Sequence, residues 1–331
     1  MQTSKKPKGL AKIWREIKRP FRIDRWLDRK LRGMSKKDYK HFTYHLAWCN
    51  EVIIEKDGRV HIPNVEFYLA YECNLKCEFC ALLNPFRTGI VAKEYLVDSF
   101  EKWSRKVSPG HVRLLGGEPL LNPDIAEIVT AASRLWAPAQ IQVWTNAVLL
   151  PRVSDDILRT FQKCNVFMNI SQHLDTDGYR EILKKSTERL AKFGIQYHVE
   201  ESFREWRKFI AINADGIPSP CCSDHKKSYE RCHAKQCTTI EGDYIYRCSH
   251  LANMISAISE KSIGPEWNRV LTHKPMTLEN SPEEIRNYLI GDAMKECSVC
   301  PEVRDIVEPR QLSLETIQSI KGHIQQLQKT A

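Results

Sequence analysis

Three cysteines share one short stretch, Cys73-Asn-Leu-Lys-Cys77-Glu-Phe-Cys80. Thiolates are soft ligands that suit zinc and iron–sulfur centres. A closed zinc site takes four ligands, and an iron–sulfur cluster usually takes four cysteines. Three cysteines therefore leave one iron of a [4Fe–4S] cluster open to a substrate or cofactor, the alternative being a structural metal site. A second group lies further on, where Cys297-Ser-Val-Cys300-Pro301 follows Cys232, Cys237 and Cys248. A local pair plus a distant pair makes a four-thiolate site, for zinc or for a second cluster. Cys221 and Cys222 are adjacent and do not comfortably ligate one metal together. They read as packing residues, or as a spare ligand or a thiol on a substrate channel. Cys49 and Cys164 stand alone and read as small buried apolar groups.

Composition narrows the setting. The chain has 331 residues, 42% apolar and 27% charged, a globular balance. No run approaches 18 apolar residues, so no membrane-spanning helix is expected. The basic N-terminus lacks the apolar core of a secretory signal. Twelve cysteines without an export signal point to metal binding in a reducing compartment, so a cytoplasmic location is expected. The net charge of +9 is local. Residues 1–40 hold 15 Lys/Arg against 4 Asp/Glu, and the remainder holds 35 against 37. This arm reads as a solvated helix packing an apolar stripe, as a basic amphipathic helix on an anionic membrane surface, or as a nucleic-acid contact.

Positioning elements can be read from periodicity. Ile13, Trp14 and Ile17 share one face, as do Ile23, Trp26 and Leu27, with Pro20 breaking the run. Residues 51–62 predict a hairpin turning at Asp57–Gly58. Strands are predicted at 65–72, 111–115, 140–145, 166–171 and 195–200, with helices near 93–106, 123–136, 153–163 and 178–193. This alternation implies βα units and a mainly parallel sheet. A second hairpin is predicted over 238–247, turning at Glu241–Gly242–Asp243, and an amphipathic helix over 311–329.

The first cysteine spacing, with Phe79 before the third thiol, resembles the radical S-adenosylmethionine (radical SAM) superfamily. The second strand runs into Gly116-Gly117-Glu118-Pro119, similar to the family's GGE motif, where strand-end backbone meets the amino group of the methionine moiety. The third ends in Thr145-Asn146, similar to Thr-Asn-Gly but with Ala147 in place of the glycine. The fourth ends at Ser171, where the family often places a polar ribose contact. These marks lie in order over residues 66–201. The resemblance implies an α/β fold, a partial (β/α)6 barrel. It implies Cys73, Cys77 and Cys80 as ligands of a [4Fe–4S] cluster and Gly116–Pro119, Asn146 and Ser171 around S-adenosylmethionine. Its chemistry would be one-electron cleavage of the cofactor, then hydrogen-atom abstraction from a substrate by the 5′-deoxyadenosyl radical. An external flavodoxin- or ferredoxin-type reductant is implied.

The second group looks like a Twitch domain, the shorter form of the SPASM domain, which carries one auxiliary [4Fe–4S] cluster. Cys248, Cys297 and Cys300 would ligate it with either Cys232 or Cys237. Cys232 has nine residues between it and Gly242, as the family commonly does, and Cys237 has four. The implied organisation is a basic extension and hairpin (1–62), a radical SAM core (63–215), a Twitch-like domain (216–310) and a C-terminal helix (311–331). Cys248-Ser-His-Leu-Ala-Asn-Met resembles radical enzymes encoded with polysaccharide assembly genes. It tilts the substrate toward a sugar- or cyclitol-like alcohol that is oxidised or epimerised. A peptide-modifying maturase is the alternative enzyme, and a zinc-stabilised protein binding nucleic acid or a membrane surface is the alternative from another class. No catalytic acid or base is assigned. His173, Glu200, Glu201 and Arg204 lie at or beyond predicted strand ends, where they could face the pocket.

Overall fold

The computed structural model describes residues 52–330, apart from 214, 215, 233, 236 and 304. The chain divides into two compact units, 1–48 and 49–331, and the described residues belong to the second. The basic arm and Cys49 lie outside them. Strand β1 (Ile53–Ile54) turns into β2 (Val60–Ala70), pairing Ile53 with His61. The Asp57 carboxylate accepts the Arg59 amide at 3.0 Å inside that turn, a local bond that makes Asp-Gly a turn former. Strand β2 begins five residues before the expected start and runs through Pro63. Proline is tolerated because the neighbour on one side pairs only at Val65 and Glu66.

Four βα units follow. Helix α1 (Lys93–Trp103) leads to β3 (Val107–Gly116), α2 (Ile125–Leu135) to β4 (Gln140–Thr145), α3 (Asp155–Lys163) to β5 (Phe167–Ser171), and α4 (Asp177–Lys192) to β6 (Gln196–Glu200). All five long strands pair in parallel. One row across them reads Phe67, Leu114, Val143, Met168 and Tyr197. The first four are buried, as a sheet covered on its faces requires. Helices turn one apolar face inward, such as Leu96, Phe100 and Trp103 of α1 or Ile125, Ile128, Val129 and Ala132 of α2. Ser154 and Thr176 cap α3 and α4 by accepting the amides of Ile157 and Tyr179, so both helices start where the sequence supplies a hydroxyl.

The C-terminal third extends the same sheet. After a two-stranded ribbon, β7 (Ala211–Ile212) with β8 (Pro218–Ser219), and helix α5 (His225–Arg231), the hairpin β9 (Thr238–Glu241) and β10 (Tyr244–Tyr246) joins it. Strand β9 lies parallel to β2, pairing Thr238 with Val65, so a sixth parallel strand flanks β2 on the side away from β3, and β10 and β11 (Met276–Thr277) carry the sheet on to the edge opposite β6. The hairpin tip docks on α1, where Ser99 Oγ and Trp103 Nε1 both donate to the Gly242 carbonyl at 2.9 Å. Helix α6 (Ser249–Ser259), β11 (Met276–Thr277) and α7 (Pro282–Ile290) follow, and Ser281 and Glu284 close a capping box on α7. A second core gathers Leu83, Leu251, Met254, Trp267, Val270 and Val299. Helix α8 (Leu314–Thr330) buries Ile317, Ile320 and Ile324 against Phe86 and Ile217. No helix among the described residues is long and apolar enough to cross a membrane.

Candidate functional site

The carboxyl ends of β2–β5 converge on the first cysteine loop. In a parallel sheet this is the edge where functional loops gather. Cys77 is buried, and Cys73 and Cys80 are half-buried. Asn84 is buried and donates to the Tyr71 carbonyl at 2.8 Å, closing the loop on itself. N–H groups are aimed at the sulfurs. The Leu75 amide lies 3.4 Å from Cys73 Sγ, Asn146 Nδ2 3.6 Å from the same atom, and Gln311 Nε2 3.0 Å from Cys77 Sγ. Burial pushes the Cys73 and Cys77 thiols up to about 12, with the neighbouring cysteines adding to the rise. Burial also raises Cys80, against the pull of backbone amides at Asn84, Leu82 and Leu83.

The glycines of the second motif are sterically required. A Cβ on Gly117 would fall 2.0 Å from the Glu72 carbonyl oxygen, and one on Gly116 would fall 2.3 Å from that of Ala70. Gly116 also has φ +143°, which L side chains rarely adopt. Glu118 is fully buried and ties two strand ends together. Its carboxylate accepts from Thr145 Oγ1 at 2.7 Å, the Asn146 amide at 2.9 Å and the Leu120 amide at 3.1 Å. Burial raises it to about 7, while those three donors pull the other way. Asn146 in turn donates to Asn74 Oδ1 at 2.7 Å. Ala147 has φ +63°, so the alanine is held in the left-handed conformation that a glycine would adopt without strain. The Ser171 carbonyl and the Asn146 carbonyl both accept from Tyr179 OH.

Gly116, Gly117, Glu118, Pro119, Asn146 and Ser171 thus lie along one sheet edge. Three neighbours had no signal in motif spacing. Tyr179 and Gln311 reach this edge from distant segments, and Trp206 Nε1 donates to the Glu78 carbonyl at 2.9 Å. His173 lies edge-on to Trp206, its Nδ1 is buried without a hydrogen-bond partner among the described residues, and burial lowers its pKa to about 4. Glu200, Glu201 and Arg204 are exposed, and Arg204 pairs with Glu201.

The second thiol group assembles elsewhere. Cys232, Cys248, Cys297 and Cys300 line one cavity. Cys232 follows α5, Cys248 is the N-cap of α6, and Cys297 and Cys300 belong to one short turn. Burial pushes the Cys248 thiol up to about 12, against the pull of the Leu251 and His250 amides at the start of α6. His250 Nδ1 lies 3.7 Å from Cys300 Sγ. Cys237 does not line this cavity. It faces Glu66 of β2 and shares a hydrogen bond with it, because β9 carries the residues just after Cys237 alongside β2. The Cys221 amide donates to the Val299 carbonyl at 3.0 Å, and burial pushes its thiol up to about 11. Cys222 is exposed and accepts from Arg269 Nη1 at 2.9 Å. Cys164 is half-buried and packs against the main core.

Comparison with known proteins decides the family of the sheet edge. Residues 68–217 match the model of the Radical SAM superfamily. These residues form a radical SAM domain. The chain is 34% identical over 136 residues to GTP 3',8-cyclase of Clostridium acetobutylicum, covering 39% of this chain and 41% of that protein. It is 32% identical over 138 residues to human molybdenum cofactor biosynthesis protein 1, covering 40% of this chain and 20% of that protein. The chain spans about two fifths or less of the length of these curated relatives. A crystal structure of BtrN in complex with AdoMet and 2-DOIA aligns over 81% of this chain and 89% of that one, with 12% identity and a TM-score of 0.39.

The radical SAM family implies S-adenosylmethionine and a [4Fe–4S] cluster, and the residues at the sheet edge fit both. The donor set is three thiols under N–H groups, which suit ligating thiolates. Among the described residues no three His, Cys, Asp or Glu side chains come together closely enough to hold one metal ion. A cluster asks for wider spacing, since each of its thiolates takes a separate iron. The two glycines let the turn after β3 press against the backbone of Ala70 and Glu72, which fixes it beside the first cysteine loop.

Proposed function

We propose that this chain is a radical SAM enzyme. Cys73, Cys77 and Cys80 would hold the [4Fe–4S] cluster, and Gly116–Pro119, Asn146 and Ser171 would surround S-adenosylmethionine. The observation that carries this is the convergence of the three-thiol loop, the double-glycine turn and the Thr145–Asn146 strand end within one bonded network inside the radical SAM domain. When bound, cluster and cofactor supply one-electron cleavage of the sulfonium C–S bond and the means of taking a hydrogen atom. The protein's part is position and exclusion. Gly116 and Gly117 let the turn close on the Ala70 and Glu72 carbonyls beside the cysteine loop, Glu118 locks two strand ends at a common height, and Asn146 orients Asn74 beside Cys73.

The substrate reading is a sugar- or cyclitol-like alcohol, oxidised or epimerised. Cys232, Cys248, Cys297 and Cys300 would hold an auxiliary cluster able to take the substrate's electron, and an external flavodoxin- or ferredoxin-type protein would reduce the first. A cyclisation on a nucleotide is the second reading, favoured by the identity to GTP 3',8-cyclases over the matched residues. One experiment tests both levels. Anaerobically reconstituted protein should bind about eight iron and eight sulfide per chain and release 5′-deoxyadenosine under reduction. Zinc without iron would refute the enzyme reading. About four iron with one zinc would keep it and make the second site structural. Coupled turnover of alcohols, against turnover of GTP, then separates the two substrate readings.

A further inference from the structure

The three-thiol loop is crossed by a strap from the C-terminal third. The Glu78 amide donates to the Arg310 carbonyl and the Leu312 amide to the Lys76 carbonyl, each at 2.8 Å, so Cys77 and Gln311 face each other as a β-bridge. The Gln311 side chain adds two bonds. Its Oε1 accepts the Lys76 amide at 2.6 Å, and its Nε2 donates to Cys77 Sγ at 3.0 Å. The Lys76 amide can only donate, so it holds the carboxamide with oxygen toward the backbone and NH2 toward sulfur. The same strap grips the loop after β6. The Val307 amide donates to the Trp206 carbonyl at 2.8 Å and the Lys208 amide to the Asp305 carbonyl at 3.0 Å, while Trp206 Nε1 bonds the Glu78 carbonyl. Ten residues separate Cys300 of the second thiol site from Gln311.

From this geometry we infer that Gln311 is a positioning residue that raises the reduction potential of the cluster held at Cys77. The inference rests on the proposed role of Cys73, Cys77 and Cys80. Reduction adds negative charge that is shared by the thiolate sulfurs. An N–H aimed at one of them stabilises the reduced state more than the oxidised state, which moves the potential upward. Gln311 is otherwise exposed, so replacing it opens no buried cavity. A leucine at 311 removes both side-chain bonds and keeps the backbone bridge. A glutamate keeps an acceptor for the Lys76 amide but turns an anionic oxygen toward sulfur.

The test is a redox titration of reconstituted full-length protein, following by EPR the signal that changes when S-adenosylmethionine is added. That signal marks the open-iron cluster even when a second cluster is present. Gln311→Leu should lower the reduced fraction at a fixed poise about tenfold, equivalent to about 59 mV for one electron. Gln311→Glu should lower it further, and both should retain wild-type iron and sulfide. An unchanged potential in both variants at full iron content overturns the role of Gln311 alone. Loss of the iron in both also overturns it, because the residue would then be needed for assembly rather than for tuning. A wild-type protein with no signal sensitive to S-adenosylmethionine overturns the cluster reading itself and the inference with it.

Discussion

The two thiol sites of this molecule are built in opposite ways. The first takes Cys73, Cys77 and Cys80 from one loop at the end of β2, and that loop closes on itself through Asn84 and Tyr71. The second takes Cys232, Cys248, Cys297 and Cys300 from three separate segments, which are held together by long-range bonds such as Ser228 Oγ to the Cys300 carbonyl at 2.9 Å and Arg247 Nη1 to the Asp292 carbonyl at 2.6 Å. A local site costs little loop-closure entropy, whereas a distributed one depends on tertiary structure already being in place. The first site should therefore survive damage to the second, and the second should be the more sensitive to packing.

The largest expected effect follows from that contrast. Replacing Cys73, Cys77 and Cys80 together by alanine should abolish 5′-deoxyadenosine formation and remove about four iron, leaving the iron of the second site. Changing Cys248, Cys297 and Cys300 to alanine should do the reverse, removing the second cluster while uncoupled cleavage of S-adenosylmethionine continues. If either triple variant lost all its iron, the sites would not be independent and the contrast would fail. Within the second site the cavity discriminates two cysteines. Cys232→Ala should lose the auxiliary iron, and Cys237→Ala should keep it, since that thiol is turned toward Glu66. Iron retained in the first variant and lost in the second would reverse the assignment.

A single buried cation joins the two regions. Arg87 is 1% exposed, pairs with Glu260 at 2.5 Å, donates to Ser256 and Asn253 of α6, and covers the Tyr71 ring at 3.8 Å. It leaves the first cysteine loop and ends on the helix capped by Cys248. Arg87→Met should cost about 2–4 kcal/mol, below the full cost of breaking a buried pair because Glu260 keeps some access to water. Chemical unfolding of the cluster-free protein measures it. A cost under about 0.5 kcal/mol would place this pair among surface ion pairs and remove the proposed link.

The contrast also explains what could be read from sequence. The first candidate site was legible because its three cysteines fall within one short stretch and its two glycines are adjacent in the chain. The βα alternation was legible for the same reason, each strand and helix carrying its own period and several carrying their own caps. The hairpin over 238–247 was visible as an element. Its place beside β2 was not, because pairing Thr238 with Val65 leaves no local mark. Gln311 looked like the start of a helix, yet α8 begins at Leu314 and the preceding residues are drawn out along the Cys77 loop. The choice between Cys232 and Cys237 rested on spacing to Gly242, whereas in three dimensions Cys232 lines the cavity with the other three thiols and Cys237 is turned toward Glu66.

The smallest effect concerns Glu118, the residue that holds the first site's strand ends together. Its carboxyl group is raised by burial to about 7 from an ordinary value of 4.5, so the folded chain keeps its proton over a range where the unfolded chain has released it. In that window the folded state binds more protons, and stability falls as pH rises from about 4.5 to about 7. Glu118→Gln cannot titrate, so its stability should be flatter across the same window in cluster-free protein without S-adenosylmethionine. Above pH 7 the variant should still be weaker by about 1–3 kcal/mol, because a carboxamide NH2 replaces one of the two acceptor oxygens, and even in its better orientation it faces the Asn146 amide, a donor, where Oε2 accepted. Urea unfolding of both proteins at pH 5 and pH 7.5 reads the two terms separately. Parallel pH slopes would mean that Glu118 is already ionised throughout, held so by its three donors. The strand ends would then be locked by charge-assisted bonds rather than by a carboxylic acid.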